Sequence, residues 1–211
     1  GLNIAADNDR PQEERAVYLS GNGPLVDVLR EALIRDRRSQ LRKENVRNTE
    51  VIKQEVFISI QNIHHFRDYY LKELSTPNEK VVVFDEAQRA WDAKKLQNSH
   101  SSFDGTVSEP DFLLGVMDRH EAWCVVVALI GEGQEINDGE AGVFSWINAI
   151  DEKYPHWDVY VPSHLVGIHT SLSDENVELI GKRQTQDSLH LATSMRSFRA
   201  KNLAAFVSNI I

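Results

Sequence analysis

Two adjacent carboxylates, Asp85 and Glu86, stand at the end of a short apolar run and are the residues best suited to chemistry in this chain. Lys80 is followed by Val-Val-Val-Phe, which predicts a buried strand that ends where the acids begin. An aspartate at such a strand end can hold a magnesium ion that bridges nucleotide phosphates, and a neighbouring glutamate can orient an attacking water. The pattern is that of a Walker B motif, one half of a nucleotide-hydrolysis site.

The other half of such a site is a phosphate-binding loop, and the 211 residues contain none. No Gly-x-x-x-x-Gly-Lys-Ser/Thr pattern occurs anywhere in the sequence. Acids at a strand end are also common as solvated residues in α/β proteins, so the pair by itself leaves that alternative open.

Two further groups have residue types that suit nucleotide chemistry. Gly131 ends an apolar run and is followed closely by Gln134, whose amide could hydrogen-bond a γ-phosphate. A glycine turn before a capped helix explains the same residues. Arg196 and Arg199 lie near the start of a predicted helix, and an arginine can stabilise charge on a transferring phosphoryl group. Ordinary surface arginines are the alternative there, and Arg199 is the stronger candidate because an aromatic residue precedes it.

Composition argues against several other classes of function. No apolar run approaches the roughly 18 residues that a membrane-spanning helix needs, and the first residues have no signal-peptide pattern. The histidines show no metal-ligand spacing, and no nucleophile elbow marks a hydrolase triad. The single cysteine, Cys124, excludes an internal disulfide and fits a reducing, cytoplasmic setting. We expect Cys124 to be an inert residue of a buried strand.

The net charge of -9 argues against binding nucleic acid through bulk charge, because phosphate contacts need arginine and lysine. A local excess of basic residues between Arg30 and Arg47 is the exception. The first interpretation of this excess is a solvated helical face, and the alternative is a nucleic-acid contact surface.

The elements that must position these groups are apolar strands that alternate with amphipathic helices. This order predicts an α/β fold with a largely parallel sheet and helices on both faces. Because ligands bind at the carboxyl ends of parallel strands, we expect the polar segments that begin at Ser20, Asp85 and Gly131 to share one edge. The predicted strands are Ala16–Ser20, Val56–Ile60, Val81–Phe84, Trp123–Ile130, Trp157–Val161, Leu165–His169 and Leu189–Leu191. The predicted helices are 25–35, 63–74, 110–120, 140–153 and 200–211, with 37–48 expected to be polar and mobile and 90–108 irregular.

Four strings in this order resemble a known family. They are Ala-Val-Tyr-Leu-Ser-Gly-Asn-Gly-Pro-Leu-Val from Ala16, Val-Val-Val-Phe-Asp-Glu-Ala-Gln-Arg-Ala-Trp-Asp from Val81, Val-Val-Ala-Leu-Ile-Gly-Glu-Gly-Gln-Glu-Ile-Asn-Asp-Gly-Glu-Ala-Gly from Val126, and Ser-Phe-Arg-Ala-Lys-Asn from Ser197. Together they are similar to the Schlafen-type family of superfamily 1 helicase-like ATPases. The resemblance covers nearly the whole chain and implies a RecA-like P-loop fold.

The resemblance implies nucleotide-site roles for five residues. Asp85 would bind magnesium together with ATP, and Glu86 would be the catalytic glutamate. Gln88, which completes the Asp-Glu-Ala-Gln form of the motif, would also bind the cofactor. Gln134 would couple the nucleotide state to nucleic acid, and Arg199 would reach the γ-phosphate.

The resemblance also implies a contact with single-stranded nucleic acid, DNA or RNA, through Ser20, Gly21 and Asn22. The chain departs from the family at Glu132, where superfamily 1 helicases usually carry aspartate. Residues 2–6 resemble the end of the helix that follows the phosphate loop in relatives, so we expect the chain to be a fragment that lacks this loop.

The expected domains are an ATPase core in residues 1–155 and its continuation, with the start of a further motor segment, in residues 156–211. The parent protein is expected to be an ATP- and magnesium-dependent helicase or remodelling ATPase, and the fragment alone is expected to be inactive and to bind no nucleotide. Two alternatives stay open, a non-catalytic binding module and a nucleotide-dependent regulator that unwinds nothing.

Overall fold

The computed structural model describes residues 16–43, 49–103, 105–131, 142–163 and 183–191. In these ranges the elements are, in chain order, β1 (Ala16–Ser20), α1 (Gly23–Lys43), α2 (Thr49–Ser59), β2 (Ile60–Asn62), α3 (Ile63–Tyr70), β3 (Val81–Asp85), α4 (Ala93–Ser99), α5 (Glu109–Met117), β4 (Val125–Ala128), α6 (Gly142–Lys153), β5 (Tyr160–Val161) and β6 (Gln184–Thr185). Short 3-10 helices cover Ala87–Arg89 and Asp187–Leu189. The chain divides into one unit up to Pro155 and a second from His156 onward.

The first unit is built on a parallel sheet with the strand order β2-β1-β3-β4. The chain leaves β1 towards β2 on one side, then returns past β1 to β3 and continues outward to β4. The connections from β1 and β3 therefore run in opposite directions, and open α/β sheets bind ligands at the carboxyl ends of two neighbouring strands related in this way. The predicted α/β fold with a largely parallel sheet is confirmed, and the arrangement is compatible with a RecA-like core.

Helices cover both faces of this sheet. On one face Val26 of α1 packs with Tyr18, Ile60 and Val83, which are all buried. Successive strand residues point to opposite faces, so Phe84 lies on the other face, where its ring is 5.4 Å from that of Trp146 in α6. The sheet is thus the middle layer of a three-layer unit, and its carboxyl edge remains available for a site.

Side-chain caps explain where several helices begin. The Asn22 side chain accepts a hydrogen bond from the Leu25 amide at 3.2 Å, just before the first turn of α1. Asn62, Asp92 and Ser108 cap α3, α4 and α5 in the same way. Each cap satisfies a backbone N–H that has no partner within the helix. Asn62 is both the last residue of β2 and the cap of α3, and Asn22 lies two residues after the end of β1, so strands and helices are joined here by very short turns.

Residues 56–59 are helical, so the predicted strand Val56–Ile60 is wrong. Only its last residue belongs to a strand, β2, and the rest lies in α2. A Val-Phe-Ile run has high strand propensity, but Ile52 and Val56 are the residues that pack against Ile34, whereas the two residues after Val56 are exposed. Burial therefore follows the helical spacing of four residues, and packing against α1 overrides local propensity.

The bounds of other elements differ from prediction by several residues. Helix α1 extends to Lys43 rather than ending at residue 35, so the first part of the segment expected to be mobile is helical. Hydrogen bonds from Gln40 to Asp36 and from Arg37 to Gln40 accompany this extension. Helix α3 ends at Tyr70 rather than at residue 74, and α4 occupies part of the stretch expected to be irregular.

Cys124 lies just before β4 and is half-buried. Burial, and secondarily the charge of Asp118, raise the pKa of the Cys124 thiol to about 11. The thiol is therefore protonated at neutral pH, the state in which cysteine is a poor nucleophile.

In the second unit β5 and β6 form a two-stranded parallel pair, with Tyr160 opposite Gln184. The predicted strand Trp157–Val161 is shortened to β5. The predicted strand Leu189–Leu191 is wrong, because the amides of Leu189 and His190 bond to nearby carbonyls in a 3-10 turn instead of a ladder. The predicted strand 165–169 and the predicted helix 200–211 lie outside the described residues.

Candidate functional site

The carboxyl ends of β1 and β3 lie side by side, with Ser20 in register with Asp85. Ser20 is fully buried, and its hydroxyl accepts a hydrogen bond from the Asn22 amide at 3.2 Å. Gly21 and Asn22 are exposed. Of the three residues predicted to contact nucleic acid, Ser20 thus shapes the turn, while Gly21 and Asn22 face the surface beside the acids.

Asp85 is half-buried at the end of β3 and contacts a buried tyrosine of the neighbouring strand. The Tyr18 hydroxyl is hydrogen-bonded to the Asp85 carboxylate. Burial, followed by this bond and the charges of Asp85 and Glu86, raise the pKa of Tyr18 far above its usual value. Tyr18 therefore keeps its proton, and its hydroxyl donates a hydrogen bond that orients the Asp85 carboxylate.

Glu86 adopts a left-handed backbone conformation, with φ of 55°, and is the only non-glycine residue with positive φ in the described part of the chain. This conformation costs a non-glycine residue about 1 kcal/mol or more, so surrounding contacts must hold it. The Glu86 carboxylate accepts a hydrogen bond from the side-chain amide of Gln88 at 2.9 Å and lies 3.5 Å from Nε of Arg89. We refer to residues 85–88 as the acidic turn.

Gln88 connects the acidic turn to the end of β4. Its side chain is 3% exposed, donates to Glu86, and accepts a hydrogen bond from the Gly131 amide at 3.1 Å. The Ala87 amide donates to the Leu129 carbonyl at 2.8 Å. In this conformation both ends of the Gln88 side-chain amide are engaged within the protein, and the predicted role of Gln88 in cofactor binding stays a prediction.

A buried ion pair fixes the chain just after the acidic turn. Arg67 of α3 is 1% exposed and donates to the Glu109 carboxylate at 3.0 Å. The same carboxylate accepts a hydrogen bond from the Trp91 amide at 3.0 Å, and the Glu109 amide donates to the Trp91 carbonyl. Removing one partner of such a pair costs about 3–5 kcal/mol, because a buried charge is left without compensation. The pair therefore anchors the segment that follows Gln88 to α3 and α5.

Several of these contacts could not be read from the sequence motifs. Tyr18 is the exception, because it lies two residues before Ser20 on a strand and so shares its face with Ser20 and with Asp85. The partners Arg67 and Glu109 show no local signal of their role. The predicted site residues Gln134 and Arg199 lie outside the described residues, and their predicted roles stay predictions.

The residue types present fit a magnesium ion that is bound together with a nucleotide. Magnesium in such sites takes one or two carboxylates and completes its shell with phosphates and water. Asp85 offers a carboxylate at the carboxyl edge of the sheet, next to Glu86. Within the described ranges no group of three or more histidine, cysteine, aspartate and glutamate side chains could hold a metal by protein ligands alone.

None of the helices in the described part of the chain is long and apolar enough to cross a membrane.

Comparison with known proteins assigns the family. A family model, Schlafen group 3, DNA/RNA helicase domain, matches residues 1–211, which is the whole chain. Neither a search of curated proteins nor a search of solved structures gives a match. The parallel sheet is compatible with this match. Because the match covers all 211 residues, the chain belongs to the Schlafen group 3 DNA/RNA helicase domain family.

Proposed function

We infer that this chain forms part of a nucleic-acid-dependent ATPase of the helicase or remodelling type. The observation that carries the proposal is the position of Asp85 and Glu86. Asp85 ends β3 and Glu86 follows it, at the switch point of a parallel sheet, where open α/β sheets bind their ligands. The family match supports the same class of activity.

The proposed roles follow from the chemistry of phosphoryl transfer. Asp85 would hold a magnesium ion that neutralises charge between the β- and γ-phosphates of ATP. Glu86 would orient the attacking water and accept its proton. Gln88 would keep Glu86 aligned and link it to Gly131, the last described residue before Gln134. Gln134 would contact the γ-phosphate, and its amide would report hydrolysis to the bound nucleic acid.

Two further parts of the site are proposed from the family pattern. Arg199 would stabilise charge on the γ-phosphate during transfer. Gly21 and Asn22, which are exposed beside the acidic turn, would contact single-stranded DNA or RNA. The sites for ATP and for nucleic acid would then be adjacent, because Ser20 is paired with Asp85 in the register of β1 and β3.

The test is ATP hydrolysis by the full-length protein, with and without single-stranded DNA or RNA. Glu86→Gln keeps the size of the side chain but removes its basicity, so kcat should fall by about 100-fold or more. Asp85→Asn should weaken the magnesium dependence of nucleotide binding. Glu121→Gln, an exposed acid before β4, is the matched control and should leave both quantities unchanged. Retention of most of the wild-type rate by Glu86→Gln would contradict the proposal.

A non-catalytic binding module is the second candidate, and one observation favours it. Both acids of the turn are engaged by donors of their own chain, Asp85 by Tyr18 and Glu86 by Gln88. If this arrangement is permanent, Asp85→Asn and Glu86→Gln will leave nucleic-acid binding unchanged, and added ATP will not alter the affinity. An ATP-dependent change in affinity that Glu86→Gln abolishes would exclude this candidate.

A further inference from the structure

Trp146 of α6 contacts the acidic turn although it lies 59 residues further along the chain. Its indole Nε1–H donates a hydrogen bond to the Ala87 carbonyl at 2.9 Å. Its ring packs on Phe84 of β3, with the ring centres 5.4 Å apart and the planes inclined at 53°. The side chain is 5% exposed, so this hydrogen bond is shielded from water.

The contact is made next to the strained residue of the site. Ala87 directly follows Glu86, whose φ of 55° is unfavourable for a residue with a side chain. The amide of Ala87 is held by the Leu129 carbonyl, and the carbonyl of Ala87 is held by Trp146. Both peptide groups of Ala87 are therefore fixed, and they fix the backbone that carries the Glu86 side chain.

The chain on either side of residues 132–141 meets the acidic turn. Gly131, on the amino-terminal side, donates to the Gln88 side chain. Trp146, in the helix on the carboxyl-terminal side, donates to the Ala87 backbone. The two contacts reach neighbouring residues of the turn, so a change in either one alters the support of Glu86.

We propose that Trp146 is a positioning residue for Glu86, and that its indole N–H and ring hold Glu86 in the left-handed conformation needed for water activation. The second clause rests on the proposed ATPase function, whereas the structural role of Trp146 does not. The proposal assigns to α6 a part in catalysis through the backbone of Ala87, with no contact between Trp146 and the nucleotide.

The experiment compares Trp146→Phe with wild type in the full-length protein. Phenylalanine keeps an aromatic ring against Phe84 but has no N–H for Ala87. The kcat for ATP should fall by about 3- to 10-fold, the factor that corresponds to one net hydrogen bond, while KM stays within about twofold. Trp123→Phe is the matched control, because Trp123 is 45% exposed and lies before β4, and its kinetics should equal those of wild type.

Amide hydrogen exchange provides a readout that does not depend on ATP hydrolysis. In Trp146→Phe the amides of Ala87 and Gly131 should exchange faster by about threefold or more, whereas the amide of Tyr18 in β1 should be unaffected. Replacement of Trp146 by its benzothienyl analogue, in which sulfur takes the place of N–H, should have the same effect and separates the lost donor from any loss of packing.

The outcomes distinguish the two proposals. Faster exchange at Ala87 in a protein whose wild type hydrolyses no ATP would support the positioning role of Trp146 and overturn the ATPase. If the wild type hydrolyses ATP, but amide exchange and kcat are unchanged in both Trp146 variants, the positioning role is overturned and the proposed ATPase function is not. If the Trp146 variants lower kcat and raise KM by the same factor, the proposal would also be contradicted, because a residue that acts only on Glu86 should not alter nucleotide binding.

Discussion

Glu86 is the residue at which the chain leaves the sheet, and its left-handed backbone makes this exit abrupt. A strand cannot continue through a residue with φ of 55°, so β3 ends at Asp85. Asp85 keeps the extended geometry of the strand and a partner in the sheet, Tyr18, whereas the Glu86 carboxylate is bonded by Gln88 and the backbone after it by Leu129 and Trp146. The two acids are adjacent in sequence but are held by different parts of the protein. They can therefore serve different chemical roles.

Tyr18→Phe tests how the sheet holds Asp85. The change removes one hydroxyl and keeps the buried ring, so it isolates the hydrogen bond to the carboxylate. We expect the free energy of unfolding in urea to fall by about 1 kcal/mol, since water can partly replace the donor at a half-buried carboxylate. Tyr160→Phe, which alters an exposed tyrosine, should change stability by less than about 0.5 kcal/mol.

A double-mutant cycle completes this test. If Tyr18 acts through Asp85, then Tyr18→Phe should cost much less in the Asp85→Asn background than in wild type. Equal costs in both backgrounds would show that the tyrosine stabilises the sheet independently of the acid.

For individual residues, the sequence predicts the position of the two acids at a strand end but not most of the residues that contact the acidic turn. The apolar run before Asp85 and the charges after it are adjacent, so local pattern is enough to place both at a strand end. Gly131 and Trp146 lie 43 and 59 residues from their partners in the turn, and no periodicity links them. Only the folded sheet and its covering helices bring these groups together.

Helix α3 connects the site to a partly buried group of charged and aromatic residues. Arg67 pairs with Glu109, and its guanidinium lies 5.0 Å from the Trp91 ring. His64, one turn earlier on α3, packs on the same ring at 4.9 Å, and within the described residues its buried Nδ1 has no hydrogen-bond partner. Burial, and then the charge of Arg67, lower the pKa of His64 from its usual value of 6.5, with Asp68 acting more weakly in the opposite direction.

The lowered pKa of His64 predicts a loss of stability in mild acid. The unfolded chain, where His64 has its ordinary pKa, binds a proton at higher pH than the folded chain does. The contribution of His64 is therefore complete above about pH 6.5 and is lost as the pH falls from there towards the lower folded pKa. The slope from this one group is at most about 1.4 kcal/mol per pH unit. Urea unfolding at several values between pH 7.5 and pH 5 measures it.

The neighbouring histidine supplies the control for this prediction. His64→Asn should flatten the decline in stability below about pH 6.5, because asparagine does not titrate. His65→Asn removes an exposed histidine from the same helix turn and should leave the decline intact. Identical pH profiles for wild type and His64→Asn would contradict the assignment.

Helices and strands could be predicted from the sequence where the local pattern of apolar residues matches the burial. They could not be predicted where packing against another element selects the secondary structure. The run at β3 is buried on both faces and reads as a strand from its composition. The run at residues 56–58 has the same residue types, yet it is helical because Ile52 and Val56 form a stripe against α1. A sequence window of this length contains both patterns, and only the neighbouring helix selects between them.

Across the whole molecule, topology and charge limit how nucleic acid can bind. The order β2-β1-β3-β4 places the acids and the exposed residues Gly21 and Asn22 at the neighbouring carboxyl ends of β1 and β3, whereas the net charge of -9 provides no general attraction for a polyanion. The basic stretch on α1 adds less than its composition suggests. Arg30 donates to the Ile60 carbonyl and covers the Phe57 ring, and Arg35 pairs with Glu31. These contacts favour the interpretation of a solvated, partly structural helical face.

Binding of single-stranded nucleic acid should therefore depend weakly on salt. If contacts are few and confined to the carboxyl ends of β1 and β3, a plot of log affinity against log salt concentration should have a slope no steeper than about -3, which corresponds to about four phosphate contacts on a single strand. Arg37→Gln in α1 should leave this slope unchanged, because the half-buried Arg37, which bonds to Gln40, then makes no phosphate contact. A slope of about -5 or steeper that becomes shallower in Arg37→Gln would instead identify α1 as the contact surface, since each lost phosphate contact reduces the slope by about 0.7. Fluorescence anisotropy with a labelled oligonucleotide at several salt concentrations distinguishes the two results.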